Sequence, residues 1–200
     1  KMTVRDVVIN DSGEHAIYLA TGGTLASPVY NLTMENIRVR SSAQCAIKLR
    51  GWSDFVVRDV WGANAHNSSS PGDNEDGLRL EQCTNGQIFS SGHGNEDGSG
   101  SGGNDLIHID SCTDLDFSGM AMNSAQRAAV YITDTDVADS IENLRFNGIT
   151  FSNCGNDPIF QIVVGDLPDK AIQVEGLLCT DATGNLVNIN ATGTVGSNPV

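Results

Sequence analysis

The stretch from Asn74 to Cys112 carries one phrase twice: Asn-Glu-Asp-Gly-Leu-Arg-Leu-Glu-Gln-Cys-Thr-Asn, then Asn-Asp-Leu-Ile-His-Ile-Asp-Ser-Cys-Thr-Asp. In each copy an acidic turn runs into a short alternating segment, Leu78-Arg79-Leu80 or Ile107-His108-Ile109, and a cysteine stands three residues after the last apolar position. The same register mark recurs at Ile17-Tyr18-Leu19, Ile47-Lys48-Leu49, Val130-Tyr131-Ile132, Phe160-Gln161-Ile162 and Leu186-Val187-Asn188-Ile189. The last apolar positions of the seven copies are 30, 31, 29, 23, 30 and 27 residues apart, the irregular period of a solenoid with loops of varying length. Alternation with period two, bounded by Gly, Asn, Asp and Ser, excludes helical repeats.

Each interval holds at least one further short strand. Examples are Val4 to Ile9, Leu32 to Val39, Phe55 to Val60 and Leu144 to Phe151. A strand cannot bury its apolar face alone, so successive coils must stack, each strand pairing with its equivalents above and below at roughly 4.8 Å. The expected fold is all-β, a right-handed parallel β-helix of about seven coils. It forms one domain over 1–191, read as a piece of a longer β-helix because neither end offers an amphipathic capping helix. Residues 192–200 read as a C-terminal tail.

The chain resembles the pectin-lyase-like superfamily of β-helices through its repeated Asp/Asn-Gly-or-small-Ile/Leu-x-Leu/Ile segments and its Asn-rich turns. That superfamily contains polysaccharide lyases, pectin hydrolases, uronan epimerases and phage tailspikes. The resemblance covers essentially all 200 residues and implies a carbohydrate-directed protein at an extracellular location, whether secreted, cell-surface or virion-associated. A tailspike-like member would form homotrimers.

Composition narrows the partners. A formal net charge of -14, from 25 acidic and 11 basic residues, argues against a phosphate-tracking nucleic-acid surface and an anionic membrane surface. No stretch approaches the ~20 apolar residues of a membrane span. An acidic polysaccharide could be held only by a local basic patch or a bound cation. The five cysteines show no zinc spacing, and Cys83 and Cys112, equivalent in neighbouring coils, read as inward, stacked small hydrophobes or alternatively as an inter-coil disulfide.

Between flanking inward apolar residues, the middle residue of each triplet faces outward. The outward column therefore reads Tyr18, Lys48, Arg79, His108, Tyr131, Gln161, Asn188. Ala16, Ala46, Gly77, Leu106 and Ala129, two positions earlier, are expected to leave this column exposed in a shallow trough. Two polar insertions, Asn64 to Asn74 and Ser90 to Asp105, enter the same side of coils three and four and would wall a groove.

This column supplies the local basic patch. Removing the proton next to a uronate carboxylate requires that carboxylate to be neutralised, a base within reach, and an acid for the leaving oxygen. Lys48, Arg79, His108 and Tyr131 are the candidate catalytic residues. Lys48 and Arg79 are similar to the Lys base and Arg partner of β-helix lyases; the alternative is Tyr131 or His108 as base with Arg79 on the carboxylate. Tyr18, Asp76, Asp105 and Gln161 are candidate substrate contacts.

Glu75, Asp76, Asp97 and Asp105 offer oxygen ligands for calcium, and Gly100 to Leu106 looks like a single calcium-repeat nonapeptide. Asn74-Glu75-Asp76-Gly77 and Gly92-His93-Gly94 echo two motifs of the β-helix pectin hydrolases, but the Asp-Asp pair of that family is absent. Three functions stay open: a polysaccharide lyase acting by β-elimination, a non-catalytic carbohydrate-binding or structural β-helix such as a tailspike or adhesin segment, and a polysaccharide hydrolase.

Overall fold

The computed structural model describes residues 1–63, 76–94, 103–136, 140–154, 159–165, 172–180 and 186–191. It is a parallel β-solenoid, all-β, with no helix among the described residues. The seven triplets lie in seven strands of one sheet: Ile17–Ala20, Ile47–Arg50, Leu78–Glu81, Gly103–Asp110, Ala125–Thr133, Phe160–Val164 and Val187–Ala191. Five of these have neighbours on both sides. A second, 12-stranded sheet supplies two more faces, joined because the long strand Trp52–Ala63 runs through both.

The second face stacks the first parts of Met2–Ile9, Leu32–Val39 and Trp52–Ala63 with Thr84–Phe89, Thr113–Ser118, Glu142–Asn147 and Gln173–Glu175. The third stacks the ends of Met2–Ile9, Leu32–Val39 and Trp52–Ala63 with Gly92–Gly94, Ala121–Asn123, Thr150–Ser152 and Leu178–Thr180. One face follows another around each coil, and every pairing between these strands is parallel.

Corners are made by residues in the left-handed region. Asp6, Asn36, Asp59, Ser90, Gly119, Gly148 and Gly176 form one corner column, with φ between 50 and 62°. Asn, Asp and Gly tolerate this conformation best, which is why these turns are so rich in them. Gly148 corrects the expected strand from Leu144 to Phe151: its φ of 62° breaks that segment into Glu142–Asn147 and Thr150–Ser152 on different faces.

Inside, like stacks on like. Phe117 and Phe146 are parallel at 4.8 Å, and Phe160 meets Phe146 and Phe151 edge-on at 5.1 and 6.0 Å. Cys83 and Cys112 are fully buried free thiols in adjacent rungs, the Cys83 N–H donating to Cys112 Sγ at 3.3 Å. The stacked arrangement is therefore the one adopted.

One loop expectation changes. The polar insertion at 64–74 and the tail at 192–200 lie outside the described residues, but Ser90 to Asp105 is not one loop. Gly92–Gly94 is a strand of the third face, and the next strand begins at Gly103. His93 points into the core, aligned with Gly62 above and Met122 below. It is fully buried, neither ring nitrogen has a hydrogen-bond partner, and burial pushes its pKa down to about 3 from 6.5.

Between those two values the unfolded chain binds a proton that the folded chain does not, so stability falls as pH drops. The slope approaches about 1.4 kcal/mol per pH unit. His93→Leu is expected to abolish this contribution and to raise stability below neutrality, measured as a smaller shift in the urea midpoint between pH 7 and pH 5 than in the parent.

Candidate active site

The sheet registers the outward column as its alternation requires. Tyr18 pairs with Lys48, Lys48 with Arg79, Arg79 with His108, His108 with Tyr131, Tyr131 with Gln161 and Gln161 with Asn188. The column is nonetheless not an exposed stripe. Lys48 and His108 are 8% and 5% exposed, Arg79, Tyr131 and Gln161 are half-buried, and only Tyr18 and Asn188 are open to solvent.

The expected trough is absent: Ala46, Gly77, Leu106 and Ala129 are buried, and Ala46, Leu106 and Ala129 belong to the apolar core. The polar neighbours of the column are instead the residues two positions after it: Arg50, Glu81, Asp110 and Thr133 in successive rungs. These were legible, since period two puts them on the same face.

Glu81, nearly inaccessible, binds Lys48 Nζ at 2.8 Å, Arg79 Nε at 2.6 Å and Arg50 Nη1 at 3.4 Å. Burial pushes its carboxyl up, but hydrogen bonds and charge from Lys48 and Arg79 outweigh this and hold it below the usual range. Burial likewise opposes the charge of Arg79, and Asp76 and Glu81 raise its pKa in spite of that.

Asp76 sits just before its strand and Asp105 near the start of Gly103–Asp110, both with no exposed surface. Asp76 Oδ2 accepts from Arg79 Nη1 at 3.3 Å and lies 3.1 Å from His108 Nδ1, while its Oδ1 accepts the Asp105 N–H at 3.3 Å. Asp105 is gripped by Nε and Nη2 of Arg127, at 3.1 and 2.5 Å. Burial, joined by the charge of Asp76, lifts Asp105 to about 6 against the pull of Arg127.

His108 Nε2 faces Thr133 Oγ1 at 3.4 Å, and its ring meets Tyr131 edge-on at 4.9 Å. The Arg127 guanidinium lies 3.9 Å over the Tyr131 ring. Arg79, His108, Arg127 and Tyr131 thus converge on one shallow pocket that Asp110, Thr133 and Thr135 also line. Asp110 accepts from the hydroxyls of Ser111 and Thr135 and the N–H groups of Thr135 and Asp136. Those donors outweigh burial and hold its pKa low.

The expected site is therefore brought together in part. Arg79, His108 and Tyr131 line the pocket. Lys48 does not, and Tyr18 and Gln161 lie in rungs beyond it; Lys48 stands 5.5 Å from the Tyr18 ring. Arg127 is a pocket residue the sequence did not signal, since it lies outside the triplets.

Of the expected calcium ligands, Glu75 and Asp97 lie outside the described residues. Asp76 and Asp105 do approach each other, with His108, within 4.8 Å. This donor set does not fit calcium, because one donor is an imidazole and both carboxylates already hold guanidinium groups where a hard cation would sit. No protein family, curated protein or solved structure matches this chain.

Because Glu81 neutralises cations that are themselves mostly buried, Glu81→Ala leaves Lys48 and Arg79 undercompensated. A loss of about 3–5 kcal/mol is expected from equilibrium denaturation. The stability that the Glu81 charge lends is present above the ordinary carboxylate range and is lost as pH falls through its lowered pKa, so parent and variant should converge in acid.

Proposed function

We propose that this protein is a member of the pectin-lyase-like β-helices that acts outside the cell on an acidic polysaccharide by β-elimination. The observation that carries the reading is the convergence of Arg79, Arg127, His108 and Tyr131 on one pocket in a chain of net charge -14.

The two guanidinium groups are suited to a uronate carboxylate. Withdrawing its charge acidifies the adjacent C–H, and the groups are held in place beforehand by Asp76, Glu81 and Asp105. His108 is the base. With Nδ1 turned to Asp76, Nε2, which faces the Thr133 hydroxyl at 3.4 Å, is the nitrogen on the pocket side assigned to take the proton.

Nε2 takes the proton, the C–H electrons become the ring double bond, the glycosidic C–O bond breaks, and the Tyr131 hydroxyl protonates the departing oxygen. Lys48, tied to Glu81, contributes charge and position rather than a lone pair. No calcium is needed for this chemistry, because neutralisation comes from arginine.

Hydrolysis by Asp76 and Asp105 is the weaker reading. Both carboxylates are wholly buried behind the residues that line the pocket, where neither the glycosidic oxygen nor a water would meet them.

Incubation with polygalacturonate, alginate and chondroitin sulfate is expected to give rising ultraviolet absorbance from conjugated unsaturated ends with at least one polymer, undiminished by chelator. His108→Ala should lower kcat by about 10²–10⁴-fold while polymer retention in affinity gels persists. A flat trace with every polymer would sink the elimination reading, and a flat trace with no reducing ends released would leave a carbohydrate-binding β-helix.

A further inference from the structure

The third face carries a different outward column: Arg38, Trp61, Gly92, Ala121, Thr150 and Leu178 in successive rungs. A Cβ on Gly92 would lie 2.0 and 2.2 Å from Cζ3 and Cε3 of Trp61. The indole therefore lies across the next rung, over a residue with no side chain, instead of standing away from the sheet. Beyond it the floor stays low. Ala121 is exposed, and a Cβ on Gly119 would meet nothing within 4 Å.

The result is a hollow with Trp61 at one side and an ion pair at its rim. Arg38 Nη2 binds Asp59 Oδ1 at 2.9 Å, and Nη1 donates to the carbonyls of Asp59 and Ile37 at 2.8 and 3.0 Å. Two planar charged groups are thus fixed beside an aromatic ring.

We propose that this hollow binds an uncharged pyranose unit of a polysaccharide, with a C–H face of the sugar on Trp61 and its hydroxyls on the Arg38–Asp59 pair. A pyranose is amphipathic in the same sense as the site, with an apolar face and a ring of hydroxyls. The rim pair sums to zero charge within a strongly acidic chain, so a uronate gains no attraction here. A protein partner would require a contiguous apolar patch, and around Trp61 the exposed floor and rim are Gly, Ala, Ser, Arg and Asp. The inference requires binding only and stands whether or not the first face is catalytic.

The chain provides its own reporter. Of its two tryptophans, Trp52 is 5% exposed and donates Nε1–H to the Leu19 carbonyl, so a ligand-dependent change in fluorescence that disappears in Trp61→Phe comes from the hollow. The probes are oligosaccharides of dextran, galactan and mannan, with oligogalacturonate as the charged comparison.

A saturable fluorescence change with at least one neutral probe is expected. Affinity, read by titration calorimetry, should fall about tenfold in Trp61→Ala. It should fall also in Gly92→Ala, which displaces the ring, and stay unchanged in His108→Ala. The proposal is overturned if no neutral probe gives a saturable change, if the change survives in Trp61→Phe, or if oligogalacturonate binds there equally well.

Discussion

Parallel pairing in register is the constraint on which everything else here depends. Each strand finds hydrogen-bond partners only in the rungs above and below, so a residue is forced to stack on its own equivalent at roughly the strand spacing of 4.8 Å. For apolar residues this costs nothing and yields the phenylalanine and cysteine stacks of the core. For charged residues it is a severe condition, because like charges one strand apart repel. The chain meets it by alternation. In one corner column Asn85 donates to Asp54 and Asn143 donates to Asp114 at 2.7 Å; in another, Asn36 donates to Asp6 at 2.7 Å. Along the second face Glu35 sits between Arg5 and Arg58, bound at 3.3 and 2.6 Å.

The same rule shapes the first face. Lys48 and Arg79 occupy consecutive rungs of one column, an arrangement that would be repulsive if the face carried nothing else. Relief comes sideways, from Glu81 in the next column and from Asp76 just before its strand. Cations and acids thereby fix one another's side chains. Arg79, held by Asp76 on one side and Glu81 on the other, has little freedom left to lose when a ligand arrives, and that is the condition for a preorganised site.

The fold and the outward column were legible because both rest on a period-two alternation that nothing in tertiary structure overrides: a slip of one residue would turn Leu78 and Leu80 to solvent. Burial was not legible in the same way. Alternation tells which face Lys48 and Arg79 take but not that Glu81 and Asp76 would close over them, since that depends on how neighbouring columns lean together. Gly92-His93-Gly94 was misread for a local reason. Its glycines resemble a loop, yet they are there because Trp61 and Asn123 side chains occupy the space that a Cβ would need. Arg127 was missed because it reaches Asp105 from the strand of the next rung, and no triplet marks it.

A stability argument does not account for the charges on the first face. Buried ion pairs are weak contributors, often no better than apolar residues of similar volume, and this fold accepts such residues at the same positions. The column that holds Arg50, Glu81 and Asp110 begins at Ala20 and passes through Thr133 to Val163 and Asn190. Ala128 is the partner of Asp105 in the following rung. In these two columns the charged groups among the described residues occupy the middle rungs, where a pocket opens, and give way to uncharged residues on either side. Were they there to hold the solenoid together, they would be expected at every rung, since every rung faces the same pairing problem. Their concentration around one pocket, with Asp76 aligning His108 and Asp105 aligning Arg127, is the distribution expected of groups retained for what they do to a ligand.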